Sequence, residues 1–139
     1  MGRIIGIDYG KKRTGLAATD PLKIIASPLT TVETKDLIHF LKDYCAREDV
    51  ERFVVGMPKS LQNEDTDATT LVKKFITQLN RVWPDMPVTE IDERFTSKIA
   101  FSAMIDSGMK KKQRREKGNI DKVSAGVILQ SYLDQNPSF

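Results

Sequence analysis

Three short apolar runs separated only by turns, followed by a stretch in which helical and extended periods alternate, constrain this chain more than any other feature. Arg3 to Asp8 (RIIGID) is an extended run closed by Tyr9-Gly10, and Gly15 to Thr19 resumes the apolar character up to the turn signal Asp20-Pro21. Ile24 to Val32 is a third run, with a proline at 28 that a sheet tolerates at its edge. Neighbours this close pair antiparallel through tight turns. The period then changes. Leu37, Ile38, Leu41, Tyr44 and Cys45 share one helical face behind Thr34, a residue suited to an N-cap. Arg52 to Gly56 reads as a strand. Leu71, Val72, Phe75, Ile76, Leu79 and Val82 mark a helix that Asp65 or Asp67 can cap and that Pro84 and Pro87 end. Val88 to Ile91 is a further strand, and a helix capped by Thr96 carries Ile99, Ala100, Ala103 and Met104 up to Gly108. A last helix begins near Asn119 or Asp121 and continues through Leu133. The order β-β-β-α-β-α-β-α-α predicts an α/β fold built on a five-stranded mixed sheet, its later strands added in parallel through crossovers, with helices on both faces. The 139 residues, with no repeat or linker, predict one domain spanning 1–139.

Charge narrows the partner. The net charge is only +3, but the segment from Lys110 to Lys122 sets seven basic residues against two acidic ones. That segment alone carries +5, which leaves the rest of the chain at −2. Lys11, Lys12 and Arg13 form a second basic knot near the start. Positive charge gathered in two places on a slightly acidic background points to a phosphate-rich partner, although a basic run also suits a solvated loop. The apolar runs fall short of the ~18 residues that span a bilayer, and the opening segment does not read as a secretory signal, so a cytoplasmic protein without a membrane is expected. Cys45 is the only cysteine and His39 the only histidine. An intramolecular disulfide and a cysteine-based zinc cage are thereby excluded, and a Ser-His-Asp or Cys-His scheme would rest on one histidine lying off the apolar face of its helix. Gly56-Met57-Pro58-Lys59-Ser60 lacks the Walker spacing.

Acids remain. In open α/β sheets, ligands gather beyond the carboxyl ends of the strands. Asp8 ends the first strand, Asp92 and Glu93 end the strand begun by Val88, and Asp121 opens the last helix. Such acids also cap turns and helices. Asp8 is set apart by its surroundings: glycines at 10 and 15 bracket a cationic turn through which backbone and lysines can approach a phosphate while the carboxylate holds a cation. Oxygen ligands without nearby Cys or His select Mg²⁺ or Mn²⁺ over zinc. Strand alternation sends Asp92 and Glu93 to opposite faces, and periodicity cannot say which faces Asp8.

Four segments, GIDYGKKRTGLA, VVGMPKSLQN, IDERFTS and DKVSAGVILQSYL, occur in an order and a chain length that resemble the YqgF (RuvX) family of ribonuclease H-like nucleases along essentially the whole sequence. The resemblance implies a ribonuclease H-like fold and a metal-dependent nuclease with Asp8, Glu93 and Asp121 as catalytic and metal-binding acids. Of the neighbours Asp92 and Glu93 it favours Glu93. It implies cleavage at the 5′ end of precursor 16S ribosomal RNA in ribosome biogenesis, or, by fold analogy, resolution of Holliday junctions. The mechanism implied has two Mg²⁺ ions roughly 3.5–4 Å apart bridging the scissile phosphate and in-line attack of water leaving a 5′-phosphate. Arg94 and Lys98 would neutralise that phosphate, while Lys11, Lys12, Arg13, Lys110, Lys111, Lys112, Arg114 and Arg115 bind flanking backbone. The expected partner is structured RNA or branched DNA, and a symmetric junction would favour a homodimer. Two other readings compete: a non-catalytic RNA-binding module of ribosome assembly, which needs the basic patches but not the acids, and an actin-like ATPase, whose phosphate loop Asp8-Tyr9-Gly10 also resembles but whose second lobe 139 residues cannot supply.

Overall fold

The computed structural model describes residues 2–23, 25–57, 67–92 and 117–135, with side chains described throughout except at 67–68 and 117–122. Five strands form one sheet: β1 (Arg3–Asp8), β2 (Arg13–Thr19), β3 (Ala26–Glu33), β4 (Val50–Met57) and β5 (Val88–Asp92), in the spatial order β3-β2-β1-β4-β5. β1 pairs antiparallel with β2 and β2 with β3, whereas β1–β4 and β4–β5 are parallel. Three helices accompany them among the described residues: α1 (Leu37–Arg47), α2 (Asp67–Val82) and α3 (Lys117–Gln135). The mixed five-stranded sheet expected from the sequence is present, with helices on both faces. The helix expected between Thr96 and Gly108 lies outside the described residues.

Strand alternation divides the core in two. Ile5, Ile7, Leu16, Phe53, Val55 and Met57 point to one face and pack against Leu37, Leu41 and Tyr44 of α1 and Val72, Phe75 and Leu79 of α2. Ile4, Ala17, Val54 and Ile91 point to the other and pack against Ala125, Ile128, Leu129 and Leu133 of α3. β1 and β4 are therefore apolar on both sides, the pattern of strands enclosed between helical layers. Pro28 sits on β3, an edge strand, where its missing N–H costs no ladder bond, and the β2–β3 register shifts beside it.

Local details depart from the sequence reading. Thr34 does not cap α1. A 3₁₀ turn over Thr34–Asp36 precedes the helix, and neither it nor α1 has a side-chain cap bond. The Thr34 hydroxyl is committed elsewhere, to the carbonyl of Gly10. Leu71, expected on the buried face of α2, is 36% exposed, whereas Val72, Phe75 and Leu79 are buried. α3 starts earlier than expected, at Lys117. His39 is exposed, as its place off the apolar stripe implied, and Cys45 packs against the core of α1. No helix among the described residues is long and apolar enough to cross a membrane.

Candidate active site

Parallel pairing of β1, β4 and β5 brings their carboxyl ends to one edge of the sheet, where Asp8 and Asp92 end β1 and β5. Asp8 is the last residue of β1. It shares the parity of Ile4 and Gly6, so it lies on the face covered by α3. Its partner on β2 is Gly15, and the register Ile7–Val55 sets Gly56 of β4 beside it. With glycine on both flanking strands, the half-buried carboxylate stands on bare backbone.

α3 crosses this face close to the sheet. A side chain on Gly6 would come within 2.8 Å of the Leu129 Cβ and 2.9 Å of the Ala125 carbonyl oxygen, so only glycine lets the helix approach this far. The helix runs opposite to β1, since Leu133 shares a cavity wall with Ile4 while Ala125 and Leu129 lie over Gly6. Asp121 belongs to the turn of α3 that precedes Ala125 and therefore lies toward the Asp8 end.

Asp92 is different. It pairs with Met57, which packs under α1 and α2, whereas the preceding Ile91 pairs with Gly56 and packs under α3. Asp92 is thus exposed on the face opposite Asp8. Glu93, Arg94, Lys98, Lys110, Lys111, Lys112, Arg114 and Arg115 lie outside the described residues. Among the described residues no group of three or more His, Cys, Asp or Glu side chains could hold a metal ion. The donor present, a carboxylate with no Cys or His beside it, suits a hard divalent cation.

The turn after Asp8 is tightly held. Tyr9 stacks on Phe75 of α2, with ring centroids 4.5 Å apart. A Cβ at Gly10 would run into the Arg13 carbonyl oxygen, so the turn requires glycine there. Thr34 reaches across from the end of β3: its hydroxyl donates to the Gly10 carbonyl at 2.6 Å and its N–H to the Lys12 carbonyl at 2.9 Å. Lys11, Lys12 and Arg13 are exposed and, with Glu33 and Lys35, line a recess of about 470 Å³. Lys35 lies 3.2 Å from Glu33, whose hydrogen bond and charge push the ammonium pKa up and keep it cationic. Sequence reasoning found the basic knot but missed Thr34 and Lys35, which show only when β3 folds back beside β2, and the Tyr9–Phe75 stack, which shows only when α2 packs on the sheet.

Comparison with known proteins accords with this geometry. Residues 2–135 match the family model described as "RuvX: Holliday junction resolvase". A protein of Porphyromonas gingivalis is 53% identical over 137 residues, covering 99% of both chains, and one of Flavobacterium johnsoniae is 52% identical, covering 96% of both. Both are named "Putative pre-16S rRNA nuclease". Among solved structures, the Fowlpox virus resolvase in complex with Holliday junction DNA superposes with a TM-score of 0.63 at 13% identity, covering 98% of this chain and 99% of that one. The RuvC of T. thermophilus, in complex with a Holliday junction substrate, gives 0.56 at 17% identity, covering 99% and 98%. At such low identity these two structures speak for the fold alone, which is ribonuclease H-like. The family model and the near relatives span almost the entire sequence, and the chain belongs to the RuvX family.

Proposed function

We propose that this chain is a cytoplasmic, Mg²⁺- or Mn²⁺-dependent endonuclease of structured nucleic acid that processes the 5′ end of precursor 16S ribosomal RNA, with Asp8, Glu93 and Asp121 as its catalytic, metal-binding acids. The observation that carries this is the placement of Asp8 at the carboxyl edge of the sheet, on a glycine floor, on the face that α3 crosses. Two observations support the choice of the other acids. Asp92 is turned to the face opposite Asp8, which speaks against it as the second ligand and leaves Glu93, the acid the family resemblance favours. The backbone of Asp121 lies one helical turn before Ala125, at the end of α3 nearer the carboxyl end of β1.

The substrate class comes from the names of the near relatives. A divalent ion held by these oxygens supplies a water of lowered pKa and charge neutralisation at the scissile phosphate. Asp8 contributes a fixed oxygen ligand, since its strand is enclosed on both faces. Lys11, Lys12 and Arg13 bind the adjoining backbone through charge, and Arg94, Lys98, Lys110, Lys111, Lys112, Arg114 and Arg115 extend that grip. Phosphate contacts set position without reading sequence, so selectivity resides in the shape of the nucleic acid.

The description of the matched family favours a second reading, resolution of a four-way DNA junction, for which a homodimer would match the symmetry of the substrate. Both are tested by incubating the protein with precursor ribosomal RNA and with a synthetic junction, side by side. Cleavage of the RNA in Mg²⁺ or Mn²⁺, little in Ca²⁺ and none with chelator is expected. Undiminished cleavage in excess chelator would overturn the metal-dependent reading, and junction cleavage without RNA cleavage would select the second.

A further inference from the structure

The cationic turn between β1 and β2 is tied to the end of β3 by hydrogen bonds that converge on Thr34. Thr14 is fully buried at the start of β2, and its hydroxyl lies 2.9 Å from that of Thr34. The single hydroxyl proton of Thr34 goes to the Gly10 carbonyl, so Thr14 is the donor of the pair. The result is one directed chain, Thr14 hydroxyl to Thr34 hydroxyl to Gly10 carbonyl, in which each bond polarises the next. The Thr34 N–H closes a second bond onto the Lys12 carbonyl, so one residue ties down both sides of Lys11. Tyr9, stacked on Phe75, fixes the other end of the turn.

We propose that Thr34 is a positioning residue for nucleic-acid binding: it locks the Gly10–Arg13 turn so that Lys11 and Lys12 stand ready beside Asp8 to grip the substrate's phosphodiester backbone. A lysine carries a large rotamer entropy and a mobile loop carries more, so a cation presented on a fixed backbone binds phosphate at lower entropic cost. Lys35, next to Thr34 and across the recess from Lys11 and Lys12, belongs to the same surface, with Glu33 holding its ammonium in place. The backbone of a bound strand would run from Asp8 over the turn into this recess. This inference rests on the nuclease reading and adds to it the device that prepares the flanking grip.

The test is binding of a fluorescein-labelled RNA hairpin bearing the 5′ junction of precursor 16S ribosomal RNA, followed by anisotropy in chelator, together with kcat and KM in Mg²⁺. Thr34→Val keeps the shape and removes the hydroxyl. It should raise Kd and KM about three- to tenfold, the span of one or two broken hydrogen bonds, with kcat nearly unchanged. The slope of log K against log salt should flatten by up to about 0.7–0.9 for each phosphate that is no longer gripped. Thr34→Ser should restore binding. Replacing Lys11 and Lys12 by Ala should weaken the parent protein more than it weakens Thr34→Val, because the two changes act on the same grip. If the valine variant does not fold, Thr34→Ala repeats the test. Unchanged Kd in Thr34→Val overturns the proposal, as does a weakening that serine fails to restore and that adds in full to the lysine changes. A parent protein with no affinity for the RNA would instead defeat the nuclease reading on which the proposal stands.

Discussion

Replacing Gly6 and Gly126 by alanine, one at a time, should move stability in opposite directions. At Gly6 the new methyl carbon would lie 2.8 Å from the Leu129 Cβ and 2.9 Å from the Ala125 carbonyl oxygen. Neither can swing aside, since one is the root of a buried side chain and the other is helix backbone. Recovering an ordinary separation of 3.4 Å requires α3 to rise by about 0.6 Å from the sheet. Overpacking of this kind costs about 1–3 kcal/mol, and a chain of this size loses roughly 3 °C of Tm per kcal/mol, so Gly6→Ala should melt about 3–10 °C lower. Gly126 faces β3 across a groove, and there an added Cβ meets Pro28 Cγ at 3.6 Å and Cδ at 3.7 Å, which is ordinary packing. Within a helix, exchanging glycine for alanine gains about 1 kcal/mol, so Gly126→Ala should melt about 3 °C higher. Thermal and urea unfolding of both variants beside the parent measures the pair. A Gly6→Ala protein within about 0.5 kcal/mol of the parent, or a destabilised Gly126→Ala, would refute the packing argument. The first variant also carries a functional consequence. Lifting α3 shifts the backbone that bears Asp121 relative to Asp8, and misplacement on the scale of an ångström costs about a hundredfold in rate, so Gly6→Ala should lose cleavage well below its melting temperature.

Asp8→Asn, Glu93→Gln and Asp121→Asn should each lower cleavage at least about a hundredfold, while folding and RNA affinity persist. Asp92→Asn should keep most of its activity, and the reverse pattern at 92 and 93 would place the ligand on the other face. Burial pushes the Tyr44 phenol and the Cys45 thiol, neighbours on α1, above their ordinary values. A pKa higher in the folded than in the unfolded chain gives stability that is present below the unfolded value and lost as pH climbs. The urea midpoint should therefore hold through neutrality and fall from about pH 8.5 upward, with Cys45→Ala delaying the onset; a flat profile to pH 10 would contradict it.

How much of this was legible depends on how local the cause is. β1 and β4 announce themselves because both of their faces are buried, which leaves unbroken apolar runs, and Pro28 reports its edge position because a missing N–H has few other places to go in a sheet. Thr34 misled because its residue type suits a cap, while its hydroxyl answers to Gly10, 24 residues away in sequence. α3 hides its orientation altogether. Ala125, Gly126, Val127, Ile128 and Leu129 are all buried, since the helix packs onto the sheet with Gly126 against Pro28 of the edge strand, so this stretch offers no polar side from which to read a face.

The choice between Asp92 and Glu93 shows the same limit inside the site. Along β5 the side chains are too evenly apolar and polar for alternation to name a buried face, because one helical layer or another covers each side of the sheet. Pairing fixes the face of Asp92, which period could not. Gly15, Asp8, Gly56 and Ile91 form one row across β2, β1, β4 and β5, and residues in such a row share a face. Ile91 is thereby tied to Asp8, and Asp92 to Met57 and the opposite layer. A single slip in the β4–β5 register would turn Asp92 onto the face of Asp8, so its orientation away from that face rests on Val54 and Gly56 facing Thr89 and Ile91. The bond from the Arg52 guanidinium to the Thr89 hydroxyl, at 2.8 Å on the α3 face, pins that register from the far end of the strand. Arg52→Ala and Asp92→Asn thus probe one geometry from two ends: the first loosens the pairing that aims the edge, and the second removes an acid the pairing turns away.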